Sequence, residues 1–279
     1  MKIGIGARGA RSEHPPGQRA VSEAFIPVLL FHSIRAPALR GLEKYTVSER
    51  AFADHVSIIR SHCEGGATPL LISDLAAGLR SARSLPTRPF AVTFDDGYDD
   101  NLPAIHALAE AGIPSTLYVV ASCVGRPGML DDDQLRELAR HPMVEVGAHT
   151  VHHPRLDELS RPKIAQELQA ARAYLQELTG AVIDSVAYPH GAHDRRVLAE
   201  ARRAGYSSGV AVKNALSRPG DDPFAIARWT VFDRHRAQDL ARVLNGEISI
   251  VGPGEHLRTR GFRVVRRTRR QLSGTIHRR

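Results

Sequence analysis

From about residue 26 to residue 231 the chain repeats one rhythm: a short apolar run, then a stretch with hydrophobic residues at helical spacing. The apolar runs lie at 26–34, 69–72 (PLLI), 90–94, 115–120, 144–147, 185–188, 208–212 and 228–231. Capping-box spacing at 46–49 (TVSE) predicts a first helix, with Phe52, Val56 and Ile59 on one face. Further helices are expected over 73–79, 102–111, 132–139, 161–178 and 195–204. Such alternation implies a largely parallel sheet whose strands are joined by crossover helices. About seven units suit a closed or nearly closed barrel better than an open doubly wound sheet. The expected fold is therefore α/β, a distorted TIM-like (β/α) barrel with parallel strands.

The ends of the chain read differently. Residues 1–24 mix Gly, Pro and charge without periodicity, the pattern of a flexible arm, so one catalytic domain is placed at 25–250. Nine of the 38 Lys and Arg fall in residues 256–279, which contain no acid; the other 29 face 30 Asp and Glu. The net charge of +8 thus belongs to an Arg-rich tail, 251–279, expected to be disordered, and any weak anionic partner, a membrane surface or nucleic acid, would bind there. With 42% hydrophobic residues the rest can bury a core. Cys63 and Cys123 are too few for a disulfide framework or an all-cysteine metal site, so free thiols are expected. No run reaches a membrane-spanning length and the N-terminus lacks a secretory apolar stretch, so the expected location is cytoplasmic, or peripheral to the inner membrane face.

In parallel α/β folds the reactive groups gather where strands end. Asp95 and Asp96 follow the strand FAVTF; His149 and His153 follow VEVGA; Tyr188, Pro189, His190 and Gly191 follow SVA; His32 lies inside the first run. Two adjacent aspartates alone often cap a turn, and histidines at a strand end often cap a helix. Their joint occurrence at two strand ends, two units apart, points instead to a metal site. One carboxylate and two imidazoles supply three ligands and leave positions open to water, a donor set that suits Zn²⁺ best and leaves Mn²⁺, Co²⁺ or Ni²⁺ open. One aspartate is then a ligand and the other is free to act as a base. Gly97 is read as the residue that lets the backbone turn past the metal loop. His152 is expected at the surface, and His106 and His141 are expected to be structural or solvated.

These strings resemble the polysaccharide deacetylases of carbohydrate esterase family 4, the NodB-homology domain: Thr93 with Phe-Asp-Asp-Gly-Tyr at 94–98, His149-Thr150 with His153, and Tyr-Pro-x-Gly at 188–191. The resemblance covers about residues 26–245. It implies a metal-dependent hydrolase of non-peptide C–N bonds, in which Asp96, His149 and His153 hold the metal and Asp95 is the general base. It also implies an oxyanion donor at the Tyr188 backbone N–H, with Pro189 and Gly191 in the same substrate-contacting string. The family's Arg two residues before that Pro is Ala187 here, and its later Asp-rich and Leu-x-x-His motifs are not recognisable. LLFHSI resembles the poly-N-acetylglucosamine deacetylase branch, which makes His32 the candidate general acid. Arg228 is the candidate to orient Asp95 in place of the missing Arg. Trp229, Tyr188 and Tyr98 are the nearest candidates for a sugar platform, and few aromatics favour a short or activated glycan. The expected reaction is removal of an acetyl group from an N-acetylated amino sugar. The alternatives are an O-acetyl, xylan-type esterase or a non-catalytic barrel that binds an anionic partner through its tail.

Overall fold

A computed structural model describes residues 25–38, 40–81 and 85–247. The arm at 1–24 and the Arg-rich tail at 251–279, with the partner expected there, lie outside the described residues.

In chain order the elements are β1 (Val28–Phe31), β2 (Ser33–Ile34), β3 (Thr46–Val47), α1 (Glu49–Glu64), β4 (Thr68–Pro69), α2 (Ile72–Arg80), β5 (Pro89–Phe94), α3 (Asn101–Glu110) and β6 (Ser115–Val119). Then come α4 (Asp132–Arg140), β7 (Val144–Ala148), α5 (Arg161–Thr179), β8 (Ser185–Ala187), α6 (Arg195–Arg203), β9 (Ser208–Val212), β10 (Ile226–Thr230) and α7 (Ala237–Leu244). Seven strands close a ring in the order β1, β5, β6, β7, β8, β9, β10, every pair parallel. Closure comes from β1, which pairs with β5 (Phe31 opposite Phe94) and with β10 (Leu29 opposite Trp229). Short β4 pairs with the first residues of β5.

Alternation along each strand sorts residues between two cores. Phe90, Val92, Phe94, Leu117, Val119, Val146 and Trp229 face outward and pack with the apolar stripes of the helices. Ala91, Tyr118, Ala187, Val210 and Ile226 face inward and meet Ile72, Leu75 and Ala76 of α2, which plugs the barrel at the strands' amino ends. The Ile72 N–H donates to Thr116 Oγ1 at 3.1 Å and the Ser73 N–H to Glu145 Oε2 at 2.9 Å.

Three expectations shift. The run 26–34 breaks at His32, and Ser33–Ile34 pairs with Thr46–Val47 instead of extending β1. Thr46 is therefore in a strand, and Ser48 caps α1 by accepting from the Ala51 N–H at 3.3 Å. In PLLI only Pro69 is in a strand, because Ile72 already begins α2. Helix α7, with Leu240, Val243 and Leu244 buried, lies beyond the last strand the sequence rhythm suggested.

Candidate active site

Asp95 follows β5 on the inward face shared with Ala91 and Thr93, and it is buried. Its oxygens accept from Arg228, Oδ1 from Nη1 at 2.6 Å and Oδ2 from Nη2 at 2.7 Å. Arg228 lies in the middle of β10 with no solvent exposure, so this is an interior ion pair and not a solvated one. Arg228 Nη1 also donates to Thr93 Oγ1 at 3.2 Å, and the Thr93 hydroxyl donates to Leu29 O at 2.9 Å. The guanidinium lies over the Tyr118 ring, 5.4 Å from its centroid. Burial pushes the Asp95 carboxyl up, but the Arg228 charge, His149 and the Arg228 hydrogen bonds outweigh it and hold the pKa at about 2. Asp95 is therefore ionised near neutral pH.

Asp96 turns away from the strand with φ 76, and Gly97 continues the turn with φ +85, where an added Cβ would crowd Val119 at 3.3 Å. His149 follows β7 and is buried, and its Nδ1 lies 2.8 Å from Ala187 O. A carbonyl can only accept, so Nδ1 carries the proton and Nε2 keeps its lone pair. That Nε2 is 3.6 Å from both Asp95 Oδ2 and Asp96 Oδ1, and His153 Nε2 is 3.5 Å from Asp96 Oδ1. One ligand atom from each of Asp96, His149 and His153 lies within 4.8 Å of the others. One carboxylate oxygen and two imidazole nitrogens, one with its tautomer already set, fit a divalent cation of the zinc type.

Thr150 (φ 66) and His153 (φ 57) are both left-handed, a costly arrangement for residues with side chains. The turn between the two histidines is tied internally by the His153 N–H, which donates to Thr150 Oγ1 at 3.0 Å.

His32 lies at the break after β1. Its Nδ1 is buried without a partner, and its ring is 5.0 Å from that of Tyr45. Burial lowers its pKa, against the raising pull of Asp96 and Asp95. His190, exposed with φ 57, sets its ring 4.6 Å from that of His153.

The third string is placed differently. The Tyr188 N–H donates to Val210 O at 3.1 Å within the barrel wall, so it is not free to serve as an oxyanion donor. Its ring faces the outer core and its hydroxyl donates to Phe224 O at 3.0 Å. Pro189 and Gly191 are buried, and Gly191 (φ +64) could carry no Cβ, which would lie 2.6 Å from Val212 O. Tyr188, Trp229 and Tyr98 are all buried and form no platform; the Trp229 ring stacks on His235 at 4.4 Å. The aromatic rim beside the site is instead Tyr45, 36% exposed, with the Phe232 ring 5.6 Å from its own. Tyr45 ends a single 3-10 turn (Glu43–Tyr45) and Phe232 lies in the loop after β10, neither with a sequence periodicity, so only the fold reveals their nearness. His152 is at the surface, His106 pairs with Glu137 at 3.1 Å, and Cys63 and Cys123 are free thiols.

A family model described as polysaccharide deacetylase matches residues 82–209. YxkH of Bacillus subtilis (strain 168), which carries a provisional polysaccharide deacetylase name, is 23% identical over 209 residues, 75% of this chain and 72% of its own length. Among solved structures, the deacetylase PplD of Streptococcus pyogenes, solved with acetate, superposes with a TM-score of 0.70 and 20% identity, over 80% of this chain and 99% of that one. IcaB of Ammonifex degensii superposes with a TM-score of 0.68 and 25% identity, over 79% and 97% of the two chains.

Proposed function

We infer, from the premise that this chain belongs to the polysaccharide deacetylase family, that it hydrolyses the acetamide of an N-acetylated amino sugar or short glycan with the help of a divalent metal. The observation that carries this reading is the convergence of Asp96, His149 and His153 beside a buried, ionised Asp95.

Asp96, His149 and His153 would hold the cation. When bound, such an ion supplies a water of lowered pKa and polarises the acetyl carbonyl. Asp95 accepts the proton of the attacking water at a carboxylate oxygen. Arg228 leaves free lone pairs on both oxygens and fixes the plane in which they point. The His32 imidazole, neutral at rest because burial lowers its pKa, receives the proton that Asp95 took from the water and passes it to the sugar nitrogen as the acetyl C–N bond breaks, so that acetate and the free amine leave. Arg228 does in this chain what the absent Arg at position 187 would do elsewhere.

The test is metal content by elemental analysis together with acetate release. The parent should hold about one divalent ion and release acetate from N-acetylglucosamine oligomers; Asp95→Asn should keep the ion and lose activity by about a hundredfold or more. Faster acetate release from acetylated xylan would reassign the substrate to an O-acetyl ester. A His149→Ala protein that binds Zn²⁺ as tightly as the parent would overturn the ligand set.

A further inference from the structure

The turn between the two imidazoles is gripped from outside the site. Glu167, on α5, places one carboxylate oxygen, Oε2, 2.9 Å from the Val151 nitrogen and 3.0 Å from the His152 nitrogen, accepting both backbone N–H groups. Its other oxygen, Oε1, lies 2.8 Å from His152 Nδ1. Two successive N–H groups beside a left-handed residue, here Thr150, form a concave anion seat, and an ionised carboxylate fills it with charge-assisted bonds.

Glu167 is placed unusually for an acid. On α5 the buried residues are Ile164, Leu168, Ala171 and Leu175, and Glu167 falls three residues after Ile164 and four before Ala171. It lies on the edge of the stripe that meets the core, with its side chain only 15% exposed. A surface-seeking glutamate has no reason to be there unless the groups it accepts from need it.

We propose that Glu167 is a positioning residue for the metal ligands: seated under Val151 and His152, it holds the 150–153 turn in the left-handed conformation that aims His153 Nε2 at Asp96. The assignment rests on the ligand set proposed above. The Ala121 N–H donates to Thr150 O at 3.1 Å and the Ser122 N–H to Val151 O at 3.0 Å, so the turn's carbonyls are held from the β6 side while Glu167 holds its N–H groups. Without the carboxylate those two N–H groups lose their acceptor, and the turn is free to relax from two unfavourable φ values.

The experiment titrates full-length, metal-stripped protein with Zn²⁺ against a chromophoric chelator, for the parent, Glu167→Ala and Glu167→Gln. Glu167→Ala should weaken Zn²⁺ binding about 10- to 100-fold, the range for loss of a group that orients a ligand. Glu167→Gln keeps a carbonyl oxygen for both N–H groups and should recover most of that loss. A purely structural role would lower the melting temperature of the metal-free protein and leave Zn²⁺ affinity unchanged, and that result overturns the assignment. If Glu167→Ala does not fold, Glu167→Asp, whose shorter arm cannot reach the turn, gives the same reading, and an unchanged affinity there overturns it equally. A parent that binds no Zn²⁺ defeats the ligand set and this assignment together; a parent that binds it alongside an equally competent Glu167→Ala defeats this assignment alone.

Discussion

The Asp95 carboxylate is almost wholly buried, and its nearest charged partner is Arg228. Arg228 donates to both of its oxygens, and the two side chains are 0% and 2% exposed. Removing one member leaves the other as an uncompensated interior charge. Arg228→Ala should therefore lower the unfolding free energy by about 3–5 kcal/mol. Asp95→Asn combined with Arg228→Met should cost less than the sum of the two single changes, because no charge is left stranded. Urea unfolding of the four proteins checks this, and strict additivity would argue against the pair. Much of the site could be read at this scale. Asp95 and Asp96 stand at the end of the run 90–94 and His149 just past 144–147, whereas an Arg at a strand end is usually solvated, and only the closed ring places Arg228 against Asp95. The Tyr188 ring is no sugar platform because side chains alternate along a strand: Ala187 faces the barrel axis, so its neighbour faces the outer core.

Helix α2 is pinned at its start by a half-buried acid. Glu145, on β7, accepts from the Ser73 N–H through Oε2, while its Oε1 is buried without a partner. Burial, aided by Asp184 and Asp74 and opposed by the Ser73 hydrogen bonds, raises its pKa to about 7. A folded-state pKa above the unfolded value means the native state binds the proton more tightly. The contribution is complete below about pH 4.5 and is lost as the pH rises through about 7. Glu145→Gln should flatten the profile of stability against pH between about 5 and 8, raising stability at the upper end by at most about 3 kcal/mol relative to the parent. Melting curves across that range decide it; parallel slopes for the two proteins would refute the role. Elements were legible in kind more than in extent. Hydrophobic period distinguished strand from helix, but where 26–34 breaks and where PLLI becomes helical depend on pairing with Thr46–Val47 and on packing of α2 under the barrel, which no local window contains.

At the scale of the whole molecule, the count of strand-helix units was enough to indicate a closed parallel barrel, because the alternation permits few other architectures. It could not reveal that β1 would lie beside β5 and leave β4 as a short appendage, since that follows from the geometry of closing the ring. No described helix is long and apolar enough to cross a membrane. A protein shortened to residues 25–250 should release acetate at the rate of the full chain, which would place the whole catalytic apparatus in the barrel. A steep salt dependence of binding to anionic vesicles or RNA that disappears with residues 251–279 would assign a separate role to the tail. The pairing of Leu29 with Trp229 carries a cost during synthesis. The first staves of the barrel must wait on the ribosome with their flanks unpaired until the last one, some two hundred residues later, has emerged. A nascent chain in that condition is exposed to sticking to its neighbours, and its yield in a cell should respond to chaperone supply more than its final stability would suggest.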